Sequence, residues 1–234
     1  MNEPTRTRLR TLLRRWRRRP RWGNLLRTTP FSAKYGYDRG TPVDRALALR
    51  FIEEHRELFR GHALEVGDDT YVRAFRSAIS AVDIVDVDEL NPKATIIADL
   101  GIEGSLPAER YGLVLIAQTL QYVTDVPTAL RNCWHAVSSG GALLVTVPAI
   151  ARVDPRAADG DLWRFTPAGL RRLLSQTVPG VALDVRGLGN LASAVAFLNG
   201  IAAEELPEHV LAIDDEAFPV LSAAVVTKEL ARHA

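Results

Sequence analysis

The sequence predicts an α/β fold in which a mostly parallel sheet is covered by helices on both faces. Short runs of Val, Ile, Leu and Ala recur along the chain, too continuously apolar for strands with one wet face. Most are followed by a segment with helical start and stop signals, and that alternation builds parallel sheets. At 234 residues, 47% hydrophobic and 24% charged, the chain suffices for one large core and is too apolar for a disordered protein.

Taken in order, Phe31–Gly40 reads as a Gly/Tyr-rich connector. A helix follows, with Thr41 as cap, Pro42 at its first position, Asp44 three residues after the cap and Gly61 as its stop. Strands are expected at Ala63–Gly67, Val82–Val87, Thr95–Ala98, Leu113–Ala117, Ala142–Val147, Val181–Val185 and Leu221–Thr227. The helices between them are expected at Tyr71–Ile79, Val126–Val137, Pro167–Gln176 and Leu191–Leu206. Asp125 and Thr166 are the caps of the second and third, and Gly140-Gly141 stops the second.

Charge divides the chain. Residues 1–27 carry ten arginines and one acid, Glu3, a net of +9, so the remainder nets −8 within a total of +1. Leu9, Leu12, Leu13 and Trp16 share one helical face with arginines around it, and Pro20 ends the pattern. Three readings stand: a basic amphipathic arm on an anionic membrane surface, met through residues 1–20; a solvated tail; and, disfavoured, a phosphate-seeking nucleic-acid arm. Residues 28–234 form the single domain. The lone Cys133 cannot make an internal bridge, which favours a reducing, cytoplasmic setting, peripheral at the inner membrane surface if the arm binds lipid. Five scattered histidines lack ligand spacing, so no metal is expected. No run has the ~20 apolar residues of a membrane span.

In a parallel sheet, ligands bind beyond the carboxyl ends of the strands. The residues there are Glu65-Val66-Gly67-Asp68-Asp69, then Asp86 and Asp88, then Asp99, then Gln118. Gly67 permits a tight turn, and the acids suit ribose hydroxyls and an adenine amino group. The absence of a glycine-rich phosphate cradle argues against a nicotinamide dinucleotide and for a cationic nucleoside. Each residue also has a plain reading: Glu65 as a rim residue, Asp86 or Asp88 as a strand end, Asp99 as a cap and His135 as packing.

The ordered segments LEVGDDTY, DIVDVDELNP, ATIIADL, RYGLVLIAQTLQYVTDVPTALRNCWHAVSSGGALLVTVP and WRFTPAGLRRLL resemble the class I S-adenosylmethionine-dependent methyltransferases over about residues 30–230. They look most like the bacterial branch that often accompanies glycosyltransferases. The resemblance implies a Rossmann-like, seven-stranded, mostly parallel sheet and S-adenosylmethionine as cofactor. It implies that Glu65, Gly67 and Gln118 lie at the methionine end of that cofactor. Asp86 or Asp88 (preferably Asp88) then holds the ribose, Asp99 with Leu100 beside it meets the adenine, and Gly140 and Gly141 form a turn into strand five. Two departures stand out. Asp69 and Tyr71 replace the second and third glycines of the first motif, and Glu89–Lys93 replaces the helix between strands two and three.

The acceptor side is expected in the polar loop Ala149–Phe165, with Asp161 as general base and Trp163 and Arg164 shaping the pocket. A plainer reading has Asp161 only ordering the turn. Tyr35, Tyr37 and Arg39 are expected to close the site from the N-terminal side. The activity implied is methylation of an oxygen on a sugar, glycan or other small polar metabolite. The alternative is a catalytically weak or inactive binding module of the same fold at the membrane surface.

Overall fold

The computed structural model describes residues 23–76, 78–157, 159–178 and 183–230, and the chain divides into two units, Met1–Pro30 and Phe31–Ala234. In the first unit Gly23–Leu26 forms a 3-10 turn; the amphipathic helix expected around Leu9–Trp16 lies outside the described residues.

The second unit is built on seven strands: β1 (Arg60–Val66), β2 (Ala78–Asp86), β3 (Ile96–Ile97), β4 (Tyr111–Ala117), β5 (Val137–Pro148), β6 (Leu183–Leu188) and β7 (Leu221–Thr227). They form one sheet in the order β3-β2-β1-β4-β5-β7-β6. β1 to β5 pair in parallel, and β7 runs antiparallel to both β5 and β6. Chain order runs outward from β1 to β3 in one direction and from β4 to β5 in the other, with β7 inserted between β5 and the edge strand β6. The crevice for a ligand therefore opens where β1 and β4 adjoin.

Alternation along β4 shows why the strands read as continuously apolar. Leu113 and Leu115 face one core layer, Val114 and Ile116 the other, and all four are fully buried. On the first face lie α1 (Val43–Glu54), α2 (Thr70–Ala74) and α5 (Leu191–Leu198), through Leu47, Phe51, Val72 and Phe197. On the second lie α3 (Val126–Ala136) and α4 (Pro167–Thr177), through Leu130, Cys133, Leu170 and Leu174. A last short helix, α6, spans Glu208–Leu211. Among the described residues no helix is long and apolar enough to cross a membrane.

Local signals hold where partners are local. Asp125 Oδ1 accepts the Thr128 N–H (3.0 Å) and Thr166 Oγ1 the Gly169 N–H (3.1 Å), so both expected caps form. Long-range pairing overrides the others. α1 starts at Val43, not Pro42, because Thr41 is tied sideways: its N–H donates to Glu204 (2.9 Å) and its carbonyl accepts from Ala203 (2.8 Å). α1 also ends at Glu54, and the expected stop, Gly61, lies inside β1 at φ +71, where the register against β2 slips. The helix expected to Ile79 ends at Ala74, since Ala78 onward pairs with β1. Gly140 and Gly141 lie within β5, which begins at Val137. The helix expected to Leu206 ends at Leu198; Gly200, at φ +66, lies so close to Ser32 that a Cβ would sit 2.3 Å from its carbonyl oxygen.

Candidate functional site

At the end of β1, Glu65 is 1% exposed, and its carboxylate accepts the backbone N–H groups of Tyr71 (3.0 Å) and Val72 (2.8 Å). It therefore fixes the first loop and the start of α2. Burial pushes this carboxyl up to about 7, against those two N–H donors. Gly67 turns the chain at φ +81; its N–H donates to Val85 (2.9 Å), and its carbonyl accepts from Asn91 Nδ2 (2.7 Å).

The two departures from the glycine pattern are accommodated. Asp69 pairs with Arg73 (3.1 Å) and Lys93 (3.3 Å); burial opposes its ionisation, but those cations hold it below the usual carboxylate range. The Tyr71 ring lies under the Arg45 guanidinium, 5.7 Å from centroid, with its phenol half-buried.

After β2 the chain forms a loop with no helix, as its sequence implies. Asp86 Oδ2 accepts from Asn91 Nδ2 (2.6 Å), so Asn91 joins the β2 end to the Gly67 turn. Asp88 is exposed and uses one oxygen to accept the Leu90 N–H (2.9 Å). Beyond β3, Asp99 accepts the Gly101 N–H (2.7 Å) and borders a groove of about 450 Å³ with Val87, Ile97, Ala98, Ile102 and Ser105. Apolar walls with one exposed carboxylate suit a flat heterocycle bearing an amino group. Leu100 is buried in the core and does not line this groove; its carbonyl accepts from Asn132 Nδ2 (2.8 Å). Asn132, which sequence reasoning missed, also donates to Ile102 O (2.7 Å) and accepts from Gly104 N (3.0 Å), which pins this loop onto α3. The signal was a lone amide on the buried stripe of α3.

At the end of β4, Gln118 adopts a left-handed backbone (φ +52), held by its N–H to Thr146 O (2.8 Å) and by Gln121 Nε2 on its own carbonyl (2.7 Å). Beside it opens a cleft of about 160 Å³, walled by Tyr35, Tyr37, Asp44, Tyr122 and three arginines of the loop after β5. Tyr35 is also left-handed (φ +59) and stacks on Phe197. Two of the three described non-glycine residues with positive φ thus line one cleft, as strained residues at functional sites do.

The expected acceptor residues divide. Arg164 and Tyr37 line the cleft. Trp163 does not: its Nε1 donates to Val123 O (2.9 Å) and braces the loop from outside. Arg39 does not either, being paired with Glu205 (2.5 Å), because the two side chains meet across the loop and the 3-10 turn at Ala203–Glu205. Asp161 is in the cleft wall but is a poor proton acceptor. Arg164 donates to both of its oxygens (2.6 and 2.9 Å), and the Asp154 N–H donates to one (2.9 Å). The Arg164 guanidinium holds it below the usual range. Its geometry is that of the plainer reading, a loop-ordering carboxylate. Asp44 was missed. It reads locally as a first-turn helix acid, yet its carboxyl lines the cleft, and burial pushes it up to about 6.

No protein-family model and no curated protein matches the sequence. Solved structures do match the fold. A methyltransferase from Mesorhizobium loti, described as S-adenosylmethionine-dependent, is 19% identical with a TM-score of 0.51, over 82% of this chain and all of that one. One from Archaeoglobus fulgidus is 13% identical with a TM-score of 0.51, over 78% and 94%. A third, from Leishmania major, is 20% identical with a TM-score of 0.50, over 79% and 71%. At these identities the likeness is one of architecture, and this chain has the Rossmann-like fold of the S-adenosylmethionine-dependent methyltransferases.

Proposed function

We propose that the chain is an S-adenosylmethionine-dependent methyltransferase acting on an oxygen of a small polar metabolite. One observation carries this reading. The carboxyl ends of β1 to β4 of a methyltransferase-fold sheet present, side by side, the Gly67 turn, exposed Asp88, the Asp99 groove and Gln118, which borders the cleft. The donor set fits the cofactor. Asp88 keeps an oxygen free for ribose hydroxyls, and the Asp99 groove takes the adenine. The Gly67 turn offers backbone without a side chain, and nothing lies within 4 Å of where a Cβ would be. When bound, the cofactor supplies an electrophilic methyl group on a sulfonium. The cleft beside Gln118 holds the acceptor, and its walls position it. Methylation of a hydroxyl releases one proton, and Asp44 is the cleft carboxylate with a basicity suited to take it.

The alternative, a catalytically weak or inactive binding module, rests on Asp69 and Tyr71; Asp69 is paired with Arg73 and Lys93 and the Tyr71 ring packs under Arg45, and no observation favours it. The basic arm serves in this reading to bring the domain to an anionic membrane surface, supported by the Leu9, Leu12, Leu13 and Trp16 face. The test of activity is transfer of labelled methyl from S-adenosylmethionine into a metabolite extract. Label in an alkali-stable ether product supports O-methylation, and label in an amine product overturns the oxygen assignment.

A further inference from the structure

The cleft wall after β5 carries three arginines, and they are not equivalent. Arg156 is paired with Asp154 (3.1 Å) and Arg164 with Asp161 (2.6 Å), so two of the three charges are cancelled within the loop. Arg152 is left over. Among the described residues it has no carboxylate partner and no side-chain hydrogen bond, and its Nε is buried without an acceptor. Its guanidinium carbon lies 3.9 Å from the centre of the Tyr35 ring, and its charge adds to that of Arg156, the ion-pair partner that holds Asp154 below the usual carboxylate range. A guanidinium in a cleft with no carboxylate in contact and one unpaired buried N–H is suited to an oxyanion, since its planar fork matches carboxylate or phosphate oxygens.

A second orphan lies in the same cleft. Gln121 is 5% exposed, and its Oε1 is buried with no donor. The amide cannot be turned round to relieve this, because its Nε2 is committed to the Gln118 carbonyl, which accepts only N–H or O–H. Arg152 thus has no anion in contact, and Gln121 Oε1 has no donor, the Tyr122 hydroxyl being the neighbouring group on the amide. Tyr35, the residue covering Arg152, sits in left-handed backbone (φ +59) followed by Gly36 at φ +96, strain that clusters at binding sites.

We propose that Arg152 is the receptor for an anionic group, a carboxylate or a phosphate, on the methyl acceptor, and that Gln121 accepts a hydrogen bond from a hydroxyl of the same molecule. The acceptor class is therefore small hydroxy acids or hydroxyalkyl phosphates, not neutral sugars. This rests on the methyltransferase reading only for calling the ligand an acceptor. The cofactor's own carboxylate is the other source of the same chemistry, and the experiment separates the two.

Titration calorimetry on the full chain, with and without S-adenosylhomocysteine, would compare 4-hydroxybenzoate with 4-hydroxybenzamide and glycerol 2-phosphate with glycerol. At least one anion is expected to bind at least tenfold more tightly than its neutral counterpart. Arg152→Gln should weaken that anion roughly 10- to 100-fold, the size of a lost charge-assisted pair, and leave S-adenosylhomocysteine affinity within about twofold. Arg152→Lys, which keeps the charge and the packing stem, should fall between. If no anion binds better than its neutral counterpart, or if Arg152→Gln leaves the preference intact, the proposal is overturned. If Arg152→Gln instead weakens S-adenosylhomocysteine, the guanidinium belongs to the cofactor and the proposal is again overturned. Failure of the parent chain to bind S-adenosylhomocysteine overturns the cofactor reading, while the anion arms without it still decide the role of Arg152.

Discussion

Three carboxylates line the cleft, Asp44, Asp154 and Asp161, and sequence proximity picks out Asp161 as the base. Asp161 is held ionised by Arg164, whereas Asp44 is part-buried with no cation bound to its carboxylate, so of these two it is Asp44 that burial brings up to about 6. With Asp44 as base, kcat/KM should fall as pH drops through about 6, because the protonated carboxyl takes no proton. Asp44→Asn should remove that limb and slow turnover about 10²-fold or more. A carboxyl whose folded pKa is raised stabilises the fold most below its unfolded pKa of about 4 and loses that contribution as pH rises through about 6. The same Asp44→Asn change should therefore raise stability at pH 7.5 by roughly 1–3 kcal/mol, measured by denaturant titration. Asp161→Asn should act oppositely, lowering stability by roughly 1–3 kcal/mol through the unpaired Arg164 while leaving the acid limb where it is. A lost limb in Asp161→Asn with an intact one in Asp44→Asn would reverse the assignment. The acids at strand ends were legible in the sequence because an apolar run marks where each strand stops. Asp44 was not, because its place in the cleft depends on how α1 lies on the sheet.

Elements show the same division between local and distant causes. The caps at Asp125 and Thr166 lie three residues from their partners and could be read directly, and β7 has the bounds its apolar run suggests. α2 and α5 fall short of their helical patterns because pairing of β2 with β1, and the approach of Gly200 to Ser32, involve residues far away in the chain. The loop after β3 depends on one such distant contact. Asn132→Ala would leave the carbonyls of Leu100 and Ile102 and the N–H of Gly104 without their partner. It should cost roughly 1–3 kcal/mol in chemical denaturation. If the loop carries the adenine side of the site, it should also raise the Kd for S-adenosylhomocysteine several-fold. An unchanged Kd with lowered stability would confine Asn132 to scaffolding.

For the whole molecule, the charge division between the arm and the rest of the chain is a matter of composition, and its use is an expectation about surfaces. Deleting residues 1–20, or changing Trp16→Ser, should sharply reduce co-sedimentation with anionic vesicles, and added salt should weaken what remains. Equal binding by the truncated chain would make the arm a solvated tail. The fold class follows from the alternation of apolar runs and helices, which is why it was legible, while the strand order, set by long-range pairing, and the acceptor wall, made of loop ion pairs, were not. The central claim is that the carboxyl ends of β1 to β4 hold S-adenosylmethionine. A ligand that binds only the folded state stabilises it by about 2.7 kcal/mol at a hundredfold excess over Kd. Thermal unfolding of the full chain with millimolar S-adenosylmethionine should therefore shift upward by several degrees, Asp99→Ala should shrink the shift, and NADH should produce none. A shift with NADH and none with S-adenosylmethionine would contradict the claim outright.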